Sequence, residues 1–145
     1  MIKDTRKGMS GGKKRLKRKT HAQLKKELDK LHSIFVRTKY SKNGICLCYT
    51  CNKPMAIKEA HCGHFISRTY LSTRWNENNT RPQCPGCNLF GGGKPLDFEE
   101  NLKEELGEDV IESMKQSRHQ ILKLSPAWYL DEIEKYKLLI VKMNT

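Results

Sequence analysis

The sequence predicts an α+β fold: a small core held by a bound metal and flanked by N-terminal and C-terminal helices. Two Cys-x-x-Cys pairs, Cys48/Cys51 and Cys84/Cys87, give four thiols at metal-ligand spacing. Apolar residues recur at helical spacing before the first pair and after the second, but not between them. The chain has 145 residues, 37% hydrophobic and 30% charged, so it is too short for two full cores and has little apolar surface to bury. A metal crosslink offsets that shortage.

Along the chain this gives four segments: a basic flexible arm over 1–19, a helix over 20–42, the metal-bound core over 43–95 and a helical region over 96–145. The arm carries Gly8, Gly11 and Gly12 among its charges and has no apolar period. From the N-cap Thr20, residues Leu24, Leu28, Leu31 and Phe35 fall on one helical face. Asn43-Gly44 then turns the chain into Ile45–Pro54, which has strand and turn residues and reads as a hairpin bearing the first cysteine pair. Residues 60–67 are expected to form a short strand, and the polar, Asn-rich stretch 74–81 a loop or ordered turn. Gly91-Gly92-Gly93 and Pro95 break the chain. Three helices are expected beyond: 97–106 with Gly107 as C-cap, 108–124, and a last one capped by Ser125-Pro126. In the last, Tyr129, Ile133, Tyr136, Ile140 and Met143 form a stripe.

The net charge is +12, and residues 1–26 hold eleven Lys/Arg against Asp4 alone. A concentrated basic arm points to a polyanion, because neutralising phosphates releases condensed counterions. Lys13, Lys14, Arg15, Lys17 and Arg18 are the arm's candidate DNA contacts. No run of about eighteen apolar residues exists and no apolar segment follows the basic start, so neither a membrane span nor a signal peptide is expected. Six cysteines in an intracellular chain serve metal better than disulfides.

Four thiolates in two i, i+3 pairs close a tetrahedral zinc shell and leave no position open to substrate, so the expected zinc is structural. Cys46 and Cys62 are left over; each can substitute for a neighbouring thiol or pack as a small buried residue. The 32 residues between the pairs leave room for a functional element. Phosphodiester cleavage needs a base, a cation to stabilise developing charge and a scaffold to align them. His64 is the candidate base and Asn79 can position water, while His61 and Asn88 are candidate ligands for a catalytic divalent cation, Mg2+ or Mn2+. Arg68, Arg74, Arg81 and Lys94 are candidate phosphate contacts.

The order of these residues resembles the zinc-containing HNH, or ββα-metal, endonucleases, in which a cysteine pair, a His, an Asn and a final Cys-x-x-Cys-His/Asn follow one another. The final Asn88 is similar to that of phage endonuclease VII, a junction-cleaving enzyme of that superfamily. The stretch from Cys48 to about Ser113 resembles more closely the lambdoid phage NinG (Rap) recombination proteins. It does so through Cys48-Tyr49-Thr50-Cys51, Gly63-His64-Phe65, Arg74-Trp75-Asn76-Glu77-Asn78-Asn79, Gln83-Cys84-Pro85-Gly86-Cys87-Asn88 and Leu106-Gly107-Glu108-Asp109-Val110-Ile111-Glu112.

The resemblance implies a ββα-metal (HNH) core and a structure-selective endonuclease for branched DNA such as Holliday junctions, acting in the bacterial cytoplasm. It implies structural zinc on the four cysteines, His64 as general base, Asn88 as metal ligand and Asn79 as a support of the fold. His61 departs from the family's Asp, which favours softer ions such as manganese over magnesium; Glu59 is an alternative hard ligand. A homodimer is expected because two opposed strands need two sites, with the stripes at 24–35 and 129–143 as its contact. The rival readings are a sequence-tolerant HNH nicking enzyme and a non-catalytic zinc-stabilised DNA-binding protein.

Overall fold

The computed structural model describes residues 17–145. Helix α1 (His21–Lys39) starts in a capping box, in which the Thr20 hydroxyl accepts from Gln23 N–H and the Gln23 side chain accepts from Thr20 N–H. Two residues later the chain enters a three-stranded antiparallel sheet, β1 (Ser41–Lys42), β2 (Ile45–Leu47) and β3 (Pro54–Ala56). The β1–β2 turn is Asn43-Gly44 with both φ angles positive, 53° and 76°, the geometry that matches the twist of a tight hairpin. Residues 41–42 therefore belong to the sheet, not to the expected helix 20–42.

A second antiparallel hairpin follows, β4 (His61–His64) with β5 (Thr80–Gln83), pairing His61 with Gln83 and His64 with Thr80. Two expectations change here. The strand expected over 60–67 stops at His64, because Asn79 takes over the next residues: its carbonyl accepts from Phe65 N–H and its side-chain oxygen from Ile66 N–H. The loop expected over 74–81 holds the end of a short helix, α2 (Leu71–Arg74), a 3-10 turn (Glu77–Asn79) and the start of β5. All four β5 residues are buried, so the strand lacks the polar alternation that would reveal it.

After β5 a π-helical turn (Gly86–Phe90) leads to α3 (Pro95–Leu106), α4 (Glu108–Ser117) and α5 (Pro126–Met143). Gly107 stands at φ 89°, between α3 and α4. Helix α4 ends at Ser117 rather than 124: Arg118 lies over the Tyr70 ring, Ile121 is 90% exposed, and Leu124 packs instead toward the buried residues of α5. Ser125 caps α5 by accepting from Trp128 N–H.

Helices α1 and α5 pack on each other, joining Leu24, Leu28, Phe35 and Val36 with Trp75, Tyr129, Ile133 and Tyr136 in one buried cluster. The two apolar stripes expected to carry a dimer contact are thus consumed within one chain. A second cluster, Ile66, Phe98, Leu102, Ile111 and Met114, joins α3 and α4 to the strand end. The third is made mostly of cysteine.

Candidate functional site

Cys48 and Cys51 lie in the turn between β2 and β3, Cys84 directly follows β5, and Cys87 sits in the π-helical turn. Their four sulfurs lie within 4.8 Å of one another, and Cys51 Sγ and Cys84 Sγ are 3.7 Å apart. A tetrahedral zinc–thiolate shell has sulfur–sulfur edges of about 3.8 Å, so this donor set fits a structural metal such as zinc. Asn52, at φ 62°, closes the first turn by donating its N–H to the Cys48 carbonyl. Burial alone would raise the Cys48 thiol, but hydrogen bonds from the backbone of Cys84, the Thr50 side chain and backbone, and the backbone of Cys51 outweigh it and bring the group to about 6. That favours a thiolate at Cys48. At Cys51 the backbone hydrogen bond from Lys53 lowers the thiol, but burial and hydrogen bonding among the neighbouring thiols outweigh it and push the group up to about 12. Cys87 is raised in the same way against the Thr50 hydroxyl, so it is the metal's own charge that would deprotonate the full set. Cys46 and Cys62 stay outside the cluster. Cys46 is buried in β2, and Cys62 packs toward the α1–α5 cluster, where burial pushes its thiol up to about 12.

One hairpin away, a cleft of about 420 Å³ brings His61 and His64 of β4 together with Asn88 of the π-helical turn. Its far wall is α1, through Asp29, Lys30, His32, Ser33 and Arg37, with Arg68 at the edge. No motif in the sequence marks α1 as part of the site. The signal lay in its polar face, at 29, 30, 33 and 37, which reads as solvent-facing until the helix is docked.

The Nε2 of His64 lies 2.9 Å from the main-chain oxygen of Arg74. A carbonyl only accepts, so Nε2 carries the hydrogen and neutral His64 keeps its lone pair on Nδ1. Burial lowers the His64 pKa; the bond to the Arg74 carbonyl opposes this, and the Arg68 and Arg74 charges reinforce it. The imidazole is thereby held in its basic, uncharged form near neutrality.

Asn88 Nδ2 and His61 Nδ1 are 3.1 Å apart. Rotating the carboxamide places its oxygen where the nitrogen stands, and neighbouring ligands of a compact octahedral cation are about 3.0 Å apart. The pair therefore fits two adjacent positions around a small divalent ion. Glu59, the alternative ligand, is exposed on the 3-10 turn before β4 and does not line the cleft.

Residues 3–145 match the family model described as the bacteriophage lambda NinG protein. The chain belongs to the NinG family. No curated protein and no solved structure matches it. Among the described residues of this NinG-family chain, no helix is long and apolar enough to cross a membrane.

The remaining expected site residues divide by burial. Asn79 is fully buried and spends its carboxamide on backbone, accepting from Ile66 N–H and donating to the Ile66 and Thr73 carbonyls. It has no group left to position water, so that expectation is corrected and the supporting role fits. Arg81 is likewise corrected: only 1% exposed, it lies over the Tyr40 and Tyr49 rings and pairs with Glu105, out of reach of a phosphate. Arg74 is clamped to Asp29 through Nε and Nη2, whereas Arg68 shares that carboxylate but stays 57% exposed at the cleft edge. Lys94 is exposed. Lys17 and Arg18 are exposed beside Leu24, Pro126 and Leu130, lining a separate groove. Lys13, Lys14 and Arg15 lie outside the described residues.

Proposed function

We propose that this NinG-family protein is a metal-dependent endonuclease of HNH type that cleaves branched recombination or replication intermediates such as Holliday junctions. The observation that carries the reading is His64, with Nε2 bound to the Arg74 carbonyl and Nδ1 free, in a cleft shared with the His61–Asn88 pair. The β4–β5 hairpin followed by the helical turn of Asn88 supports a ββα-metal core, with the four-cysteine cluster as its clamp.

In the reaction, His64 Nδ1 takes a proton from water as the water oxygen attacks phosphorus; the bond from phosphorus to the leaving sugar oxygen breaks, and that oxygen is protonated from solvent. His61 and Asn88 would hold a divalent cation, which would supply charge stabilisation to the phosphate. Arg68, Arg37 and Lys30 are the basic groups of the cleft that orient the phosphodiester. Arg37 is positioned for this by donating to Ser33 and to the Ile57 carbonyl. Backbone contacts and DNA shape suit this site better than base reading, because no recognition helix is apparent. A homodimer, which would present two sites to opposed strands, needs a surface other than the α1–α5 stripes.

The test compares a four-way junction with linear duplex of the same sequences, with magnesium and then manganese. Preferential cleavage of the junction, abolished in His64→Ala with zinc and DNA binding kept, supports the proposal. Equal nicking of both substrates identifies a sequence-tolerant nickase, and retention without product identifies a DNA-binding protein.

A further inference from the structure

The turn that presents Asn88 also holds two large apolar side chains out in solvent. Leu89 is 62% exposed and Phe90 90%, and Phe90 is the most exposed aromatic residue among those described. Folding gains nothing from either. The turn is nonetheless ordered on every side: Gly91 N–H donates to the Gly86 carbonyl at 2.8 Å, Gly93 N–H to the Cys87 carbonyl at 2.9 Å, and the buried Gln83 side chain to the Gly93 carbonyl at 2.9 Å. Cys84 and Cys87 tie its start to the four-sulfur cluster. A side chain displayed on so fixed a support loses little freedom when it meets a partner.

The surroundings identify that partner. Phe90 is two residues from Asn88, so their Cα atoms are at most about 7.6 Å apart, roughly the span of two stacked nucleotides at about 3.4 Å each. Beyond Phe90, Gly92 and Gly93 stand at φ 63° and 84°, and a Cβ on either would meet nothing within 4 Å. The surface beside the ring is thus bare backbone facing open space, followed by the exposed Lys94. Phe90 lies outside the cleft lining, but an apolar tip, a bare platform and a cation on the turn that carries Asn88 into the cleft suit a nucleic acid better than an apolar protein face. Phe and Leu are side chains that wedge between base steps and unstack them.

We infer that Phe90, flanked by Leu89, is a wedge that stacks on a nucleobase at the branch point. This rests on the endonuclease reading and deepens it by naming what selects branched DNA. Where a branch opens, a base pair at its edge lacks a stacking neighbour and the wedge covers that exposed face, whereas in continuous duplex it must first unstack a step. Selectivity then follows without base-specific contacts.

The test uses His64→Ala protein, which binds without cutting, and a four-way junction with 2-aminopurine at the branch. Emission is expected to fall on binding, as the ring covers the exposed face of the base. Adding Phe90→Ala should abolish the fall and weaken junction binding about tenfold, the size of one lost base–aromatic stack, with duplex affinity and zinc content unchanged. Phe90→Trp should keep both. Unchanged emission and an unchanged junction-to-duplex affinity ratio in Phe90→Ala would overturn the wedge, and so would a change confined to the sedimentation coefficient of the free protein, which would assign the tip to a second copy. If the parent protein cleaves neither substrate with either metal, the endonuclease reading fails on its own, while the emission of the bound junction still decides whether Phe90 stacks.

Discussion

His64 donates Nε2–H to the carbonyl of Arg74 at 2.9 Å, and the Arg74 side chain is itself gripped by Asp29 of α1 at 2.9 Å through Nε and 2.5 Å through Nη2. Trp75 Nε1 donates to the same carboxylate at 2.9 Å. One acidic residue outside the β4–β5 hairpin therefore fixes the loop that orients the candidate base. Burial pushes the Asp29 carboxyl up, but Arg74, Arg68 and Trp75 outweigh it and hold the group ionised.

Asp29→Asn removes that charge and frees the loop. Junction cleavage is expected to fall about tenfold or more in kcat, because small misplacements of a reacting group are costly, while Arg68, released from the same carboxylate, leaves DNA affinity equal or tighter. Stability should fall by about 1–3 kcal/mol from the unpaired guanidinium. A stability loss of that size with kcat intact would show that Asp29 supports the fold and does not position His64.

The pH dependence of cleavage follows from His64. Its pKa is lowered by burial, so the neutral base persists below the ordinary imidazole value near 6.5. The acid limb of cleavage should therefore be centred below pH 6.5, as the ring gains a proton. A bound cation shifts the limb in the same direction. Single-turnover rates from pH 5 to 8 check this, and an acid limb centred above 6.5 would contradict the burial of His64.

How much of this was legible in the sequence differs by residue. The four cysteines meet in one cluster, and His61, His64 and Asn88 line one cleft, because i, i+3 pairs fix the cysteine turns and Asn88 directly follows the last of them. Arg81 and Arg74 misled, since a cation reads as surface until its carboxylate is known, and Glu105 and Asp29 lie 24 and 45 residues away. Strand β5 stayed hidden because both of its faces are buried and Pro82 interrupts it. The role of α1 in the cleft depends on tertiary docking alone, which leaves no periodic mark.

The two metal assignments separate by mutation. The cluster beneath β2 and β3 is Cys46, Cys48, Met55, Ala60, Cys84 and Cys87, with few carbon atoms to hold it if the metal is lost. Cys84→Ser, or a strong chelator, should release zinc and unfold this region, since structural zinc supplies about 10 kcal/mol or more of folding free energy in small domains. Asn88→Ala should keep zinc and circular dichroism yet abolish cleavage. Zinc loss from Asn88→Ala would show that the two sites are one.

Gly63 is required for a reason visible only in the fold. A Cβ there would lie 2.0 Å from Gln83 Oε1, and the Gln83 carboxamide is fixed by donating to Thr50 Oγ1 and the Gly93 carbonyl. Gly63→Ala is expected to destabilise by about 1–3 kcal/mol, as overpacking does. Gly63→Ala combined with Gln83→Ala should recover part of that loss in a denaturant titration; additive losses would place the strain elsewhere.

His32 gives the fold its own pH sensitivity. It is 1% exposed, with Nδ1 2.9 Å from Tyr136 Oη and Nε2 3.0 Å from Thr80 Oγ1. Burial, then the nearby His64, bring its pKa down to about 4. The unfolded chain takes up this proton near pH 6.5 while the folded chain resists it until about 4, so stability present above 6.5 is lost as pH falls through that window. The gap corresponds to about 3 kcal/mol. Thiolate protonation at the zinc also destabilises in acid, so the measurement is a difference: denaturant midpoints from pH 7 to 4 for the parent and for His32→Gln. The parent should lose about 3 kcal/mol more than the variant across this range, because glutamine has no charge to exclude. Parallel curves would mean that His32 titrates as it does in the unfolded chain and is not held neutral by the core.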